Sequence, residues 1–284
     1  MKHLIVLVAL VTTACSQDQK NLSDKIDKLD RKVDQLLAGG GRPGAAAAQP
    51  RQQRPEPDKA KTYAVPIEGD PFDGPADAKV TLVKAYDYAC PYCEKVRDTM
   101  TQLRQKYGDK LRVVFKQFVV HPQVATAGAL AFCAAAKQNK AVQMDTMLWD
   151  KGFKGHQFDK DAEAPAGAPP QRCWDSAAGC PVVLGFAKEL GLDETKFKSD
   201  MKDCQGLKDK DMKDLQALGV GATPSFFVNG RFISGAMPIE NFTALIDEEM
   251  TKADDRISKG TPASQYYQQW VVDKGLKTLE APKP

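Results

Sequence analysis

Cys90-Pro91-Tyr92-Cys93 places two thiols three residues apart, a spacing that serves either a redox pair or half of a metal site. Cysteine reacts as the thiolate, so the surroundings of the first sulfur decide what the pair can do. Pro91 fits the first turn of a helix, where its missing N–H leaves nothing unsatisfied. Beyond it, Val96, Met100, Leu103 and Tyr107 fall at helical spacing and predict one apolar face as far as Tyr107. Cys90 then stands at a helix N-terminus, where free N–H groups and the positive end of the dipole favour thiolate. Cys93, one turn on, is in reach of a mixed disulfide formed at Cys90. That chemistry is thiol–disulfide exchange, with Cys90 as nucleophile and Cys93 as the resolving thiol. The competing use is copper or zinc binding, but a second cysteine knuckle is absent and the chain has only 3 histidines.

The elements that must hold this pair can be read on both sides of it. Val80 to Tyr86 reads as a mostly buried strand feeding the motif, and Leu111 to Phe118 as a second strand after the helix, together a right-handed parallel βαβ unit. Near the other end, Thr223-Pro224-Ser225-Phe226-Phe227-Val228-Asn229-Gly230-Arg231-Phe232-Ile233 reads as a proline-initiated strand, a tight turn and a strand. Between these, residues 119 to 222 are too long for a loop. Val124 to Lys140, Ala141 to Trp149, Pro181 to Leu190 and Thr195 to Leu218 read as helices there, around a proline-bearing loop at Asp159 to Cys180. Pro238 to Met250 predicts a closing helix and Ser264 to Leu279 a further one; Tyr63 to Ile67 is expected as an edge strand.

With these residues in view, the chain resembles the thioredoxin superfamily, and most closely the bacterial DsbA-like thiol-disulfide oxidoreductases. Cys90-Pro91-Tyr92-Cys93 is similar to their active-site motif and Thr223-Pro224 to the cis-proline loop that faces it. The resemblance covers about Tyr63 to Met250. It implies an α/β chain: a thioredoxin fold with an inserted helical domain at about 119–222. It further implies a redox-active disulfide Cys90–Cys93 with no other cofactor and no metal. Pro91 and Tyr92 would tune the thiolate and meet substrate, and the backbone before Pro224 would pair with an incoming extended peptide. One departure stands out: six positions before the first cysteine, relatives carry a buried acid that exchanges protons with the second cysteine, and this chain has Lys84. A buried amine there is a candidate proton relay; a lysine snorkelling outward is the other reading.

Cysteine usage points to export. Apart from Cys15, Cys90 and Cys93, the chain has Cys133, Cys173, Cys180 and Cys204, an even set suited to an oxidising compartment. Three connectivities are open; Cys173–Cys180 and Cys133–Cys204 are favoured, the latter joining two helices of the insertion, with free thiols the alternative for Cys133 and Cys204. Lys2, the apolar run Leu4 to Val11 and Thr12-Thr13-Ala14-Cys15 resemble a lipoprotein signal peptide over residues 1–14, with Cys15 acylated. Thr12 departs from the pattern, and a plain secretory signal is the alternative. Ser16 after the cysteine implies the periplasmic face of an outer membrane.

Leu22, Ile26, Leu29, Val33 and Leu36 alternate steps of four and three, which predicts a short parallel coiled coil within 15–37 and a dimer or trimer through residues 21–37. Residues 38–62, rich in Gly, Ala, Pro and Gln, read as a flexible linker, residues 63–250 as the thioredoxin-like domain and 251–284 as a C-terminal helical extension. The 40 basic and 37 acidic residues nearly cancel, so there is no footprint for nucleic acid. The implied partners are unfolded or cysteine-containing exported proteins, a membrane redox partner, and the membrane itself through the lipid. The implied activity is disulfide formation, with an oligomeric isomerase or sulfenic-acid reductase, and a metal-binding lipoprotein, as alternatives.

Overall fold

The computed structural model describes Lys28, residues 56–158 and residues 172–279. Two compact units divide the chain, residues 1–53 and 54–284, and of the first only Lys28, helical and exposed, is described. The signal sequence, Cys15, nearly all of the expected coiled coil and most of the linker therefore lie outside the described residues.

A five-stranded sheet in the order β1-β3-β2-β4-β5 centres the second unit. Its strands are β1 (Phe72–Asp73), β2 (Val80–Tyr86), β3 (Leu111–Gln117), β4 (Ser225–Val228) and β5 (Arg231–Ser234). The β2–β3 pair is parallel, and β1–β3, β2–β4 and β4–β5 are antiparallel. Both β2 and β3 are buried along their whole length, as central strands covered on two faces must be. Asn229 and Gly230 form the hairpin turn at φ 42° and 82°. A side chain at 230 would place its Cβ 2.5 Å from the Tyr63 carbonyl, so the turn needs glycine. Asn229 also accepts from the Thr81 N–H at 2.8 Å, which ties the turn to β2.

Helices α1 (Pro91–Lys95) and α2 (Arg97–Tyr107) follow β2. The expected single helix is bent at Val96, where ψ is −3°, while Val96 N–H still reaches Tyr92 and Met100 N–H reaches Val96. One residue turns, and its side chain stays in the core. The insertion carries α3 (Pro122–Ala136), α4 (Ala141–Met147) running into a π-helical turn at Leu148–Phe153, α5 (Pro181–Glu189) and α6 (Glu194–Ala217). These are the helices the periodicity predicts, on an α/β sheet, in the thioredoxin fold with helical insertion that the resemblance implied. Alanine and glycine in α3 allow close packing, and residues from Ala125 to Ala135 are all buried.

One sheet face packs Leu82, Tyr86, Phe115 and Phe226 against α1, α2, the insertion and α7 (Ile239–Ser258). The other packs Val83, Val114 and Phe227 under Tyr63, Val65 and the end of α6. Two expectations change here. Thr62 and Tyr63 make only isolated bridges, to Arg231 and Leu276, because Val65 N–H turns back to the Tyr63 carbonyl and Pro66 has no N–H to continue a ladder. The last helix, α8 (Ala263–Tyr266) with a π turn at Tyr267–Val272, stops well short of Leu279. Gly275 sits where a Cβ would lie 2.4 Å from the Val271 carbonyl and 2.6 Å from Ala64 N, so the chain leaves the helix there and lays Leu276 and Leu279 on the second core. Helix α7 itself runs on to Ser258, past Met250.

The second face also buries a charged cluster. Lys116 Nζ stands 2.7 Å from Asp70 Oδ2 and 2.6 Å from Asp211 Oδ1, and Asp211 Oδ2 accepts the Gln117 N–H at 2.9 Å. One ammonium cannot neutralise two carboxylates. Burial, then the charge of Asp211, raises Asp70 from 3.8 to about 7 despite Lys116. An acid raised in the folded state stabilises the fold while protonated, fully below about pH 4, and that contribution is lost as pH rises towards 7. Asp70→Asn should therefore match the wild type near pH 4 and exceed it in stability at pH 8, read as the denaturant midpoint against pH. Equal midpoints at pH 8 would contradict the charge excess.

Candidate active site

Cys90 is the N-cap of α1, with extended backbone at φ −91° and ψ 116°, and its carbonyl accepts the N–H groups of Cys93 at 3.1 Å and Glu94 at 3.2 Å. In its thiol form Cys90 Sγ donates to the Thr223 carbonyl at 3.4 Å. The Thr223–Pro224 peptide is cis, and this loop is fixed by Ser225 Oγ donating to the Ala222 carbonyl and by Gly235 N–H donating to the Pro224 carbonyl. The structure thus brings Cys90, Cys93, Thr223 and Pro224 together from opposite ends of the chain. Tyr92 is 64% exposed beside them, whereas Cys93 is 3% exposed.

The two sulfurs have opposite protonation tendencies. Cys90 is pulled down from 9.0 to about 5, first by the hydrogen bond from the Cys93 thiol, then by Thr223 and the backbone N–H groups of Cys93 and Tyr92; partial burial opposes this. Burial pushes the Cys93 thiol far above its ordinary range, and its bond to Cys90 adds to that. The two shifts run in opposite directions, so between them the thiolate is favoured at Cys90 and the thiol at Cys93.

Asp87, fully buried, is a positioning residue that sequence reading missed. Its Oδ1 accepts the Ala89 N–H at 2.6 Å, and its Oδ2 accepts the Val120 and His121 N–H groups at 2.6 and 2.8 Å. It therefore clamps the turn before Cys90 to the point where the chain enters the insertion. Its one signal in sequence is an acid closing an apolar strand. Val120 and the residues Gly219 to Gly221 that lead into the cis-proline loop also line a depression of about 550 Å³, with Phe118, Met212 and Leu279.

Lys84 is buried, with Nζ 4.2 Å from the Tyr86 ring centre and 4.7 Å from that of Phe115, so the snorkelling reading does not hold. Away from the site, Cys133 and Cys204 are joined between α3 and α6, Cα atoms 6.0 Å apart, and Cys173 and Cys180 are joined at 4.8 Å. Among the described residues no three of His, Cys, Asp and Glu converge to hold a metal ion, and no helix is long and apolar enough to cross a membrane.

A family model described as Thioredoxin matches residues 67–248. The Na(+)/H(+) antiporter NhaA of Herminiimonas arsenicoxydans is 29% identical over 186 residues, covering 63% of this chain and 25% of the antiporter. The chain spans about a quarter of the length of the curated relatives it matches. Among solved structures, alpha-DsbA1 of Wolbachia pipientis is similar at a TM-score of 0.50 and 18% identity, over 68% of this chain and 96% of that one. Oxidised BdbD of Bacillus subtilis is similar at 0.50 and 19%, over 69% of this chain and 100% of that one. These structures share the fold.

Thiolate absorbance against pH should give a Cys90 midpoint near 5. In Cys93→Ala, which removes the largest stabilising bond, that midpoint should rise by at least one unit, about 1.4 kcal/mol of thiolate stabilisation. An unmoved midpoint would mean that the helix N-terminus alone sets it.

Proposed function

We propose, from the premise that the chain belongs to the thioredoxin family, that it performs thiol–disulfide exchange on exported proteins and most often acts as a disulfide donor. The observation that carries this reading is the division of protons between Cys90 and Cys93 beside the cis Thr223–Pro224 loop. A client thiolate attacks Cys90 in the disulfide form, Cys93 leaves, and a mixed disulfide with Cys90 results. A second client thiolate then attacks the first client sulfur in that bond, so that the client disulfide forms and Cys90 leaves as the thiolate.

The electrostatics support the direction. A Cys90 lowered from 9.0 to about 5 stabilises the folded reduced form. That contribution is present above the unfolded value and is lost as pH falls through about 5. Stabilising the reduced form makes the disulfide more oxidising, and a low thiol pKa makes Cys90 a good leaving group. Exposed Tyr92 and Val120, and the apolar depression leading to the cis-proline loop, offer surface to an unfolded chain. Pro91 and Tyr92 fill the space between the sulfurs in this reading, and Thr223 and Pro224 receive the client backbone. The disulfides Cys133–Cys204 and Cys173–Cys180 suit an oxidising compartment. We further assign acylation to Cys15, anchoring to the periplasmic face of an outer membrane, and self-association to residues 21–37. A membrane redox partner would restore the disulfide.

The test is the reduction potential of Cys90–Cys93 by equilibration with glutathione. A value near about −120 mV fits a disulfide donor, whereas about −180 mV or lower fits an isomerase or reductase. Cys90→Ser should abolish exchange and Cys93→Ser should accumulate mixed disulfides with unfolded clients on non-reducing gels. Absence of any reversible two-electron equilibrium would return the pair to metal binding.

A further inference from the structure

Cys180 repeats the local architecture of Cys90. It is the N-cap of α5, with extended backbone at φ −99° and ψ 104°, and proline follows at the first helical position. The angles at Cys90 are −91° and 116°, again with proline next. The Cys180 carbonyl accepts the Leu184 N–H at 3.0 Å, so the first turn of α5 is closed on it. A sulfur carried at such a position feels free N–H groups and the positive end of the helix dipole, which favour thiolate. Cys180 is joined to Cys173, seven residues back. Cys133–Cys204 is the contrast within the same chain, because both of its cysteines are buried and lie inside helices, away from any N-cap.

The surroundings of the bond are electropositive on the Cys180 side. Cys180 lines a cavity of about 70 Å³ with Trp174, Lys198 and Lys202. Lys202 adds a positive charge to that wall, and Lys198 a second, partly offset by Glu194 at 3.0 Å. The Trp174 Nε1–H is buried and has no hydrogen-bond partner among the described residues, a donor in want of an acceptor. The carboxylate of the turn, Asp175, is taken up by Arg172 at 2.7 Å. Access is unequal as well. Cys180 is fully buried, whereas Cys173 is half-buried on a turn whose next residues, Asp175 to Ala178, are exposed. An incoming thiolate therefore meets Cys173, and the sulfur that must leave is the one at the helix N-terminus. Opening also costs the fold little: with a separation of 7 residues against 71, the short bridge contributes about 30-fold less to the folding equilibrium in the chain-entropy picture. Ser176 holds the two ends together meanwhile, its Oγ donating to the Cys173 carbonyl at 2.9 Å and accepting the Gly179 N–H at 3.0 Å.

We propose that Cys173–Cys180 is a second thiol–disulfide exchange site, whose substrate is a dithiol, with Cys173 as the attacked sulfur and Cys180 as the leaving one. It stands on its own residues and not on the exchange reading of Cys90–Cys93. A thiolate of the dithiol attacks Cys173 Sγ, the Cys173–Cys180 bond breaks, and Cys180 leaves with the electron pair as thiolate. The second thiol of the substrate gives its proton to solvent and attacks the first substrate sulfur in the mixed disulfide. The substrate disulfide forms, and Cys173 leaves with the electron pair and takes a proton from water. Two electrons pass from the dithiol to the protein pair, so no further oxidant enters. Lys198 and Lys202 are positioning residues, which steady the Cys180 thiolate without touching the substrate.

The test uses the full chain under native conditions, with dithiothreitol as the dithiol. Samples are quenched with an alkylating agent at intervals and mapped by mass spectrometry, so that Cys173–Cys180 is read on peptides separate from those of Cys90 and Cys93. Cys173–Cys180 should open at least about 100-fold faster than Cys133–Cys204, since access and the leaving sulfur set the rate, while the far-UV circular dichroism stays that of the folded chain. Replacing both lysines, Lys198→Gln with Lys202→Gln, should slow opening about threefold at low salt and converge on the wild type near about 1 M salt, a dependence that a merely structural role would not produce. Opening no faster than that of Cys133–Cys204, or only as the circular dichroism is lost, would overturn the site. A rate unchanged by the lysine replacements at low salt would overturn Cys180 as the leaving sulfur.

Discussion

Everything at the active site hangs on the buried carboxylate of Asp87. Three backbone N–H groups from two separate segments converge on it, one just before Cys90 and two where β3 hands over to the insertion. A carboxylate removed from water is tolerable only when its lone pairs are filled, and here backbone donors fill them. The helix N-terminus that favours the Cys90 thiolate is aimed by that clamp, and so is the wall of the insertion behind it.

Two cysteines one helical turn apart thereby become chemically unequal. Cys90 sits at the helix N-terminus, where the Cys93 thiol and backbone N–H groups draw its pKa down, whereas burial keeps the proton on Cys93. The inequality is positional, since the residues are the same. It depends on where the helix begins and on which side of it the core lies, which is why Pro91 and the apolar row from Val96 to Tyr107 matter as much as the sulfurs.

Much of this was legible in the chain. Local signals named the motif, the strand before it, the Asn229–Gly230 turn and the helices of the insertion, because each follows from periodicity or turn chemistry within a short window. What escaped was non-local. Nothing around Asp145 marks it as the acceptor for the Tyr88 hydroxyl far back in the chain, and Asp70, Lys116 and Asp211 meet only after three segments have folded. The tail was misread for a related reason: Tyr267 to Leu279 carries apolar residues at helical spacing, but tertiary packing against Ala64 at Gly275 outweighs that preference.

Among the described residues the longest helix, α6, spans 24 residues, or roughly 36 Å. Near its middle Cys204 bolts it to α3 of the insertion, and about two turns on Asp211 is seated on Lys116 of the sheet. A beam pinned at two points resists pivoting about either one, so the insertion and the sheet are held at one angle along α6. On the exchange reading, the bending needed to reach Cys90 falls to the client chain, which favours slack polypeptide over a folded surface.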